Sequence, residues 1–189
     1  MTREKAVRLI EQAIDEGLMK LDLYELGLEE WPAEITRHAY FETQLDTLLL
    51  SINQIAVIPE TIGQLFYLKW LSLMDNQITS IPKEIGQLSC LQRLDLGKNK
   101  ITSIPKEIGQ LSRLKKLDLR NNQITSIPKE IGQLSNLEKL YLSGNQITSL
   151  PKEIGQLSNL VELEFDSDKI TEIPQEIQQL PKLGRSEGS

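Results

Sequence analysis

Apolar residues return along this chain on a fixed 23-residue cycle. Four units, starting at Leu68, Leu91, Leu114 and Leu137, read L-x-x-L-x-L-x-x-N-x-I-T-S-I-P-K-E-I-G-Q-L-S-x, and Leu150 is the one departure at the named positions. Looser units occupy residues 45–67 and 160–182. Self-similarity at such a period marks a stacked-repeat solenoid. Within a unit, Leu71 and Leu73 alternate with Trp70, Ser72 and Met74, which predicts a strand over 70–74 with its leucines on one face. Asn76 falls where the chain must turn. Ile78, Ile81, Ile85 and Leu88 then return inward along an arc broken by Pro82 and Gly86. An extended or 3₁₀ segment is expected there, then a short helical turn beginning at Pro82. One unit cannot enclose its own leucines, so neighbours must cover them.

The motif resembles the leucine-rich repeat family, in the 23-residue form with I-P-x-x-I-G-x-L found in bacterial proteins and Ras-interacting scaffolds. The likeness covers residues 21–182. It implies an α/β fold: a curved, right-handed solenoid with a parallel sheet on its concave side and short helical or 3₁₀ segments on its convex side. It also implies an asparagine ladder of Asn53, Asn76, Asn99, Asn122 and Asn145, whose amides would bond backbone groups of adjacent turns. Leu26 and Asp168 stand at the ladder positions of the first and last turns, as suits ends that lack one neighbour.

Ahead of the repeats, Ala6, Ile10, Ala13 and Ile14 share one helical face over about residues 3–16, with Thr2 as cap and Gly17 as terminator. Residues 1–20 therefore read as a cap over the open end of the sheet. Repeats begin near 21, 45, 68, 91, 114, 137 and 160, and residues 183–189 read as a flexible tail. Pro59 follows Pro32 by 27 residues instead of 23, so four additional residues lie within 34–44, as a longer convex helix or bulge. His38, the one histidine, reads as a surface residue. Leu49 and Ile52 read as exposed aliphatics at this end of the concave face.

The central units differ where function is expected. Their convex halves are nearly identical, down to the pairs Lys83-Glu84, Lys106-Glu107, Lys129-Glu130 and Lys152-Glu153. Their outward strand positions diverge. One column runs Trp70, Arg93, Lys116, Lys139, the second Ser72, Asp95, Asp118, Tyr141, and the third Met74, Gly97, Arg120, Ser143. Free drift at exposed positions does not explain why the Lys-Glu pairs stayed fixed, so diversification of the concave face is the preferred reading. Trp, Tyr, Met and Arg are enriched at interfaces, and seven strands at about 4.8 Å make a sheet roughly 30 Å wide. Trp70, Met74, Arg93, Asp95, Lys116, Asp118, Arg120, Lys139 and Tyr141 are the candidate protein-binding residues, with Tyr24 and Leu49 extending the apolar end.

Charge is segregated. Residues 1–60 carry −7, 61–159 carry +5 and 160–189 carry −4. Glu162, Glu164, Asp166 and Asp168 make the last strand acidic, able to steer a basic partner segment. Acidic residues interleave the basic ones, and the pI near 5.0 argues against nucleic acid. The single cysteine, Cys90, excludes an internal disulfide and reads as a tolerated small residue. No secretory h-region follows Met1 and no apolar run is long enough to span a membrane, so a cytoplasmic location without membrane contact is expected. No phosphate loop, metal motif or nucleophile motif occurs, and no cofactor or metal is expected. Asp95 and Asp118 could form a carboxylate pair, but an open face with cations around them points to solvated ion pairs. The chain reads as a non-enzymatic protein-binding module, a monomer whose C-terminal sheet edge could pair with another chain. An alternative is the recognition arm of a larger signalling protein. The L-D-L-x-x-L-G-L-x-x-W-P start resembles bacterial proteins whose repeats precede a Ras-like GTPase of the Roc-COR type. An engineered scaffold is disfavoured by the irregular first repeat.

Overall fold

The computed structural model describes residues 2–184, apart from the side chain of Thr2. Thr2 as a cap and most of the tail expected at 183–189 therefore lie outside the described residues. Helix α1 (Thr2–Asp15) leads into strand β1 (Lys20–Asp22), helices α2 (Glu34–Arg37) and α3 (Ala39–Gln44), and strand β2 (Thr47–Leu49). Strands β3 (Trp70–Ser72), β4 (Arg93–Asp95), β5 (Lys116–Asp118), β6 (Lys139–Tyr141) and β7 (Glu162–Glu164) alternate with short 3₁₀ helices, and α4 (Gln175–Gln178) follows. The seven strands form one parallel sheet in chain order. Register is constant: Leu48, Leu71, Leu94, Leu117, Leu140 and Leu163 pair in a row. The fold is an α/β repeat solenoid, and its core is a single continuous cluster of leucines and isoleucines.

Two expected boundaries shift. The strands end at the third residue, not the fifth, although bonds between turns run on, Leu73 N donating to Asp95 O (2.8 Å) and Asp75 N to Gly97 O (2.9 Å); Asp75, Lys98 and Asn121 then turn the chain at φ 59°, 54° and 55°. Pro82 does not open its 3₁₀ helix. It sits just before it with ψ 149°, its carbonyl accepting from Ile85 N at 3.1 Å.

Helix α1 closes the first end of the core. Ala6, Ile10 and Ala13 are buried. Gly17 takes φ +68°, and Leu18 N donates to Ala13 O (2.8 Å) while Gly17 N donates to Ile14 O (3.2 Å). That pair of bonds is the Schellman termination a left-handed glycine permits. The segment that holds the additional four residues forms α2 and α3. Exposed His38 caps α3, its Nδ1 accepting from Tyr40 N at 3.3 Å. Ile35 and Phe41 are fully buried, so the insertion belongs to the core.

Each ladder asparagine acts between two turns. Asn99 Nδ2 donates to Leu73 O and Leu96 O, both at 3.0 Å, and its Oδ1 accepts from Ile78 N at 3.0 Å. Asn76, Asn122 and Asn145 repeat this arrangement. Asn53 Oδ1 receives Leu26 N and Leu28 N from the irregular first turn. The last turn closes differently. Asp168 is exposed, and the Asp166 carboxylate instead accepts from Gly144 N (3.0 Å) and Asn145 N (3.3 Å).

Leu49 and Ile52 are half-buried rather than exposed. Ile52 has φ +55°, where a β-branched side chain is strained by about 1–2 kcal/mol. Asn121 occupies the equivalent position three turns on. Ile52→Asn is therefore expected to raise unfolding free energy by roughly 1 kcal/mol, measured by urea titration; an unchanged or lower midpoint would show that Ile52 packing outweighs the strain.

Candidate concave-face interface

Strand pairing puts side chains from adjacent turns side by side on the sheet face turned away from the core. The register rows are Trp70, Arg93, Lys116, Lys139, Glu162 and Ser72, Asp95, Asp118, Tyr141, Glu164. Long side chains of the first and third columns fold over the second column and bury it. Asp95 and Asp118 are only 4% and 3% exposed. This corrects the reading of them as solvated ion pairs.

Burying two carboxylates requires partners, and the neighbours supply them. Asp95 Oδ2 accepts from Arg93 Nε (2.6 Å) and Trp70 Nε1 (2.9 Å). Its Oδ1 has no well-aligned hydrogen bond but lies 3.3 Å from Lys116 Nζ. Asp118 grips Arg120 through two bonds, from Nε at 3.0 Å and from Nη2 at 2.5 Å. The opposite charge raises the Arg120 pKa through its hydrogen bond to Asp118, against the lowering effect of desolvation. The guanidinium of Arg93 stacks 4.4 Å from the Trp70 ring, and Arg120 and Lys116 lie 4.7 and 5.2 Å from the Tyr141 ring. Burial raises the Tyr141 pKa. Lys139 pairs with Glu162 at 2.9 Å, which raises the ammonium pKa and lowers that of the carboxyl. The nine proposed residues thus form one connected network, apart from Met74, which stands exposed beside it.

Sequence reasoning missed a cavity of about 300 Å³ on this face, bordered by Met74, Gly97, Lys98, Asp118, Arg120, Asn121, Ser143 and Glu164. Lys98 and Asn121 occupy the left-handed position before each ladder asparagine, a slot the strand pattern does not mark. A second cavity of about 310 Å³ lies between α1 and the first turn, bordered by Arg3, Val7, Leu28 and Trp31. Half-buried Cys90 receives only a long contact from Arg113 Nη1 at 3.8 Å. Among the described residues no cluster of His, Cys, Asp and Glu suits a metal ion. No helix among them is long and apolar enough to cross a membrane.

A family model described as a leucine-rich repeat region matches residues 49–118 and 106–185. The chain belongs to the leucine-rich repeat family. Among solved structures, this leucine-rich repeat chain is similar to a leucine-rich repeat protein of Leptospira interrogans. The two share 45% identity at a TM-score of 0.75, over 82% of this chain and 39% of that one. A Listeria monocytogenes internalin follows at 29% identity and TM-score 0.67, over 77% and 42%. A plant peptide hormone receptor, solved in complex with its hormone, shares 32% identity at TM-score 0.66, over 72% and 22%. The repeats here span less than half the length of each of these proteins. A search of curated proteins finds no match.

The closing turn gives the fold a pH dependence. Desolvation pushes the Asp166 pKa up, but the Gly144 and Asn145 amides and Lys169 outweigh it and hold the value below the ordinary carboxylate range. A depressed folded pKa stabilises above the unfolded value of about 3.9 and loses that contribution as pH falls through the folded value. Amide protection at Gly144 and Asn145 is expected to fall below about pH 4 while the central turns stay protected. Asp166→Asn should remove that acid step, and an unaltered step would assign it elsewhere.

Proposed function

We propose that this leucine-rich repeat chain is a protein-binding module whose partner lies on the concave face, between Trp70 and Tyr141. The supporting observation is the pre-paired network: Arg93, Asp95, Lys116, Asp118 and Arg120 are held in place before any partner arrives. Side chains already fixed lose little freedom on binding, so more of their contact energy appears as affinity. Both buried carboxylates are engaged by cations, which favours recognition over acid–base chemistry, and the module acts without cofactor or metal. Similarity to a receptor solved with a peptide hormone supports a protein or peptide ligand. The module works as a monomer in the cytoplasm.

The test uses Trp70→Ala with Met74→Ala. These changes leave Asp95 paired with Arg93 and Lys116, so the buried charge stays matched. The double variant should bind a captured partner about 30-fold more weakly in titration calorimetry, with its cooperative unfolding retained. Convex Lys106→Ala with Lys129→Ala should bind like the wild type. Equal losses in both variants would sink the concave assignment.

A second reading places these repeats as the recognition arm of a longer signalling protein. One observation favours it: the chain spans only 39% of the Leptospira protein. An immunoblot of the native protein at the mass of the 189-residue chain, 21.5 kDa, would exclude it.

A further inference from the structure

We propose that the concave face binds an uncharged, proline-rich segment of the partner in the polyproline II conformation, every third side chain seated in a notch. This rests on the concave-face assignment above. The third outward column alternates in size as it crosses the sheet: Tyr24, Ser51, Met74, Gly97, Arg120, Ser143. Backbone bonds between turns set these residues side by side, Ile52 N donating to Met74 O, Asp75 N to Gly97 O and Lys98 N to Arg120 O. Exposure follows the alternation. Tyr24 and Met74 are 49% and 36% exposed, whereas Ser51 and Gly97 are buried. Ridges thus stand at every second turn with notches between them, and the cavity of about 300 Å³ borders both Gly97 and Ser143.

The spacing of the notches selects the backbone of the occupant. Neighbouring strands lie about 4.8 Å apart, so notches at alternate turns recur at roughly 9.6 Å. A polyproline II chain has three residues per turn and rises about 3.1 Å for each, so like-facing side chains recur at about 9.3 Å. Over three notches the two periods drift apart by only about 0.6 Å. A β-strand repeats a face every 6.6–6.8 Å or so and falls out of step after one notch. An α-helix returns a side chain to one face every turn, about 5.4 Å, so side chains between notches would strike Met74 and Arg120.

The charge of the face selects the composition. Arg93, Lys116, Arg120 and Lys139 are matched by Asp95, Asp118, Glu162 and Glu164, and every one of them is paired within the fold. Asp75 and Lys98, of opposite sign, hold one position in adjacent turns. A balanced surface gives a charged segment no net attraction to offset its desolvation, whereas proline and aliphatic side chains carry no such cost. Tyr24, Leu49, Trp70 and Met74 add apolar contact at the first end of the face. Proline-rich chains also hold this conformation before binding, which lowers the entropy lost on docking.

The experiment titrates wild type, Gly97→Ala and Gly97→Met with two end-blocked peptides of one composition. One is a run of four Pro-Pro-Leu units, and the other is a shuffled form without the three-residue period. Methionine already fills this column at Met74, and a Cβ at Gly97 would meet Asp118 Oδ1 at 3.3 Å and Arg120 O at 3.4 Å, tight but accommodated. In calorimetry, wild type should bind the periodic peptide about tenfold more tightly than the shuffled one. Gly97→Met should weaken that binding about tenfold and Gly97→Ala about threefold, both with cooperative unfolding retained. Should Gly97→Met fail to fold, the loss in Gly97→Ala decides. Raising salt from about 50 to about 500 mM should change the affinity less than about threefold, since screening acts on charges. Equal affinity for the two peptides, no binding of either, a steep salt dependence or an affinity unchanged by the notch variants would each overturn the polyproline reading. The concave assignment is decided separately, by the Trp70→Ala with Met74→Ala comparison on the captured partner.

Discussion

Alanine at both Asn76 and Asn99 is expected to destabilise the protein by more than the sum of the two single changes. The reason is shared acceptors. Leu73 O receives the amides of both Asn76 and Asn99, and Leu96 O those of Asn99 and Asn122. Removing Asn99 alone therefore leaves both carbonyls with one donor each. Only Ile78 N, whose acceptor was Asn99 Oδ1, is orphaned. A buried unsatisfied group costs about 1–3 kcal/mol, so Asn99→Ala should cost roughly 2–3 kcal/mol with its small cavity included. Removing Asn76 as well strips Leu73 O of both donors and adds a further penalty of about 1–3 kcal/mol. Asn76→Ala with Asn122→Ala is the control. Every shared carbonyl then keeps a donor from Asn53, Asn99 or Asn145, and those two effects should add within about 0.5 kcal/mol. Urea unfolding of the three single and two double variants settles it. Additivity for the adjacent pair would mean that water or backbone relaxation satisfies the stripped carbonyl.

Gly109→Ala should be nearly as damaging, for a steric reason. The convex 3₁₀ helices approach so closely that a Cβ on Gly109 would meet Glu130 O at 2.5 Å and Glu130 Cβ at 3.0 Å. Backbone cannot swing aside as a side chain does, so the stack must open at that turn. Overpacking of this kind costs typically about 1–3 kcal/mol, and the upper end is expected here. Gly63→Ala provides the contrast, because its new Cβ would meet only side-chain atoms, those of Gln87 and the Glu84 Cβ at 3.2 Å. Exposed Gln87 can rotate away, so Gly63→Ala should cost under about 1 kcal/mol. Equal midpoints for the two variants in thermal or urea unfolding would refute close backbone stacking as the role of this glycine.

Much of this architecture is legible in the sequence because repetition makes one local rule count several times. The apolar period marks the strand leucines and the returning isoleucines, and the asparagine period coincides with the hydrogen-bond row that joins the turns. The buried polar column was not legible. Asp95 and Asp118 stand at positions that alternate outward, and period alone assigns such positions to solvent. Their burial comes from Trp70, Arg93, Lys116, Arg120 and Tyr141 reaching across neighbouring strands, a tertiary effect that no single unit contains. The backbone of Ile52 was not legible for a related reason: nothing in its side chain announces a left-handed conformation, which the turn before Asn53 imposes. Asp166 was read as one of a cluster of acids, yet its carboxylate closes the last turn by accepting the Gly144 and Asn145 amides, whose equivalents in earlier turns go to backbone carbonyls of the next unit.

The near-identity of the convex halves has a consequence for folding. Interfaces built from Gly, Gln, Lys and Glu at the same positions are interchangeable, so a chain that docks the turn at Leu114 against the turn at Leu68 forms almost native contacts there. Skipping the turn between them costs chiefly the entropy of looping out one unit, and loop closure grows slowly with length. The strand face is what tells the mismatched partners apart. In the skipped register Trp70 would meet Asp118, already gripped by Arg120, and Asp95 would be left with Arg93 alone. The varied residues of the recognition surface therefore also act as a register key, and smoothing them towards a consensus would multiply misfolded states even as it left each turn intact.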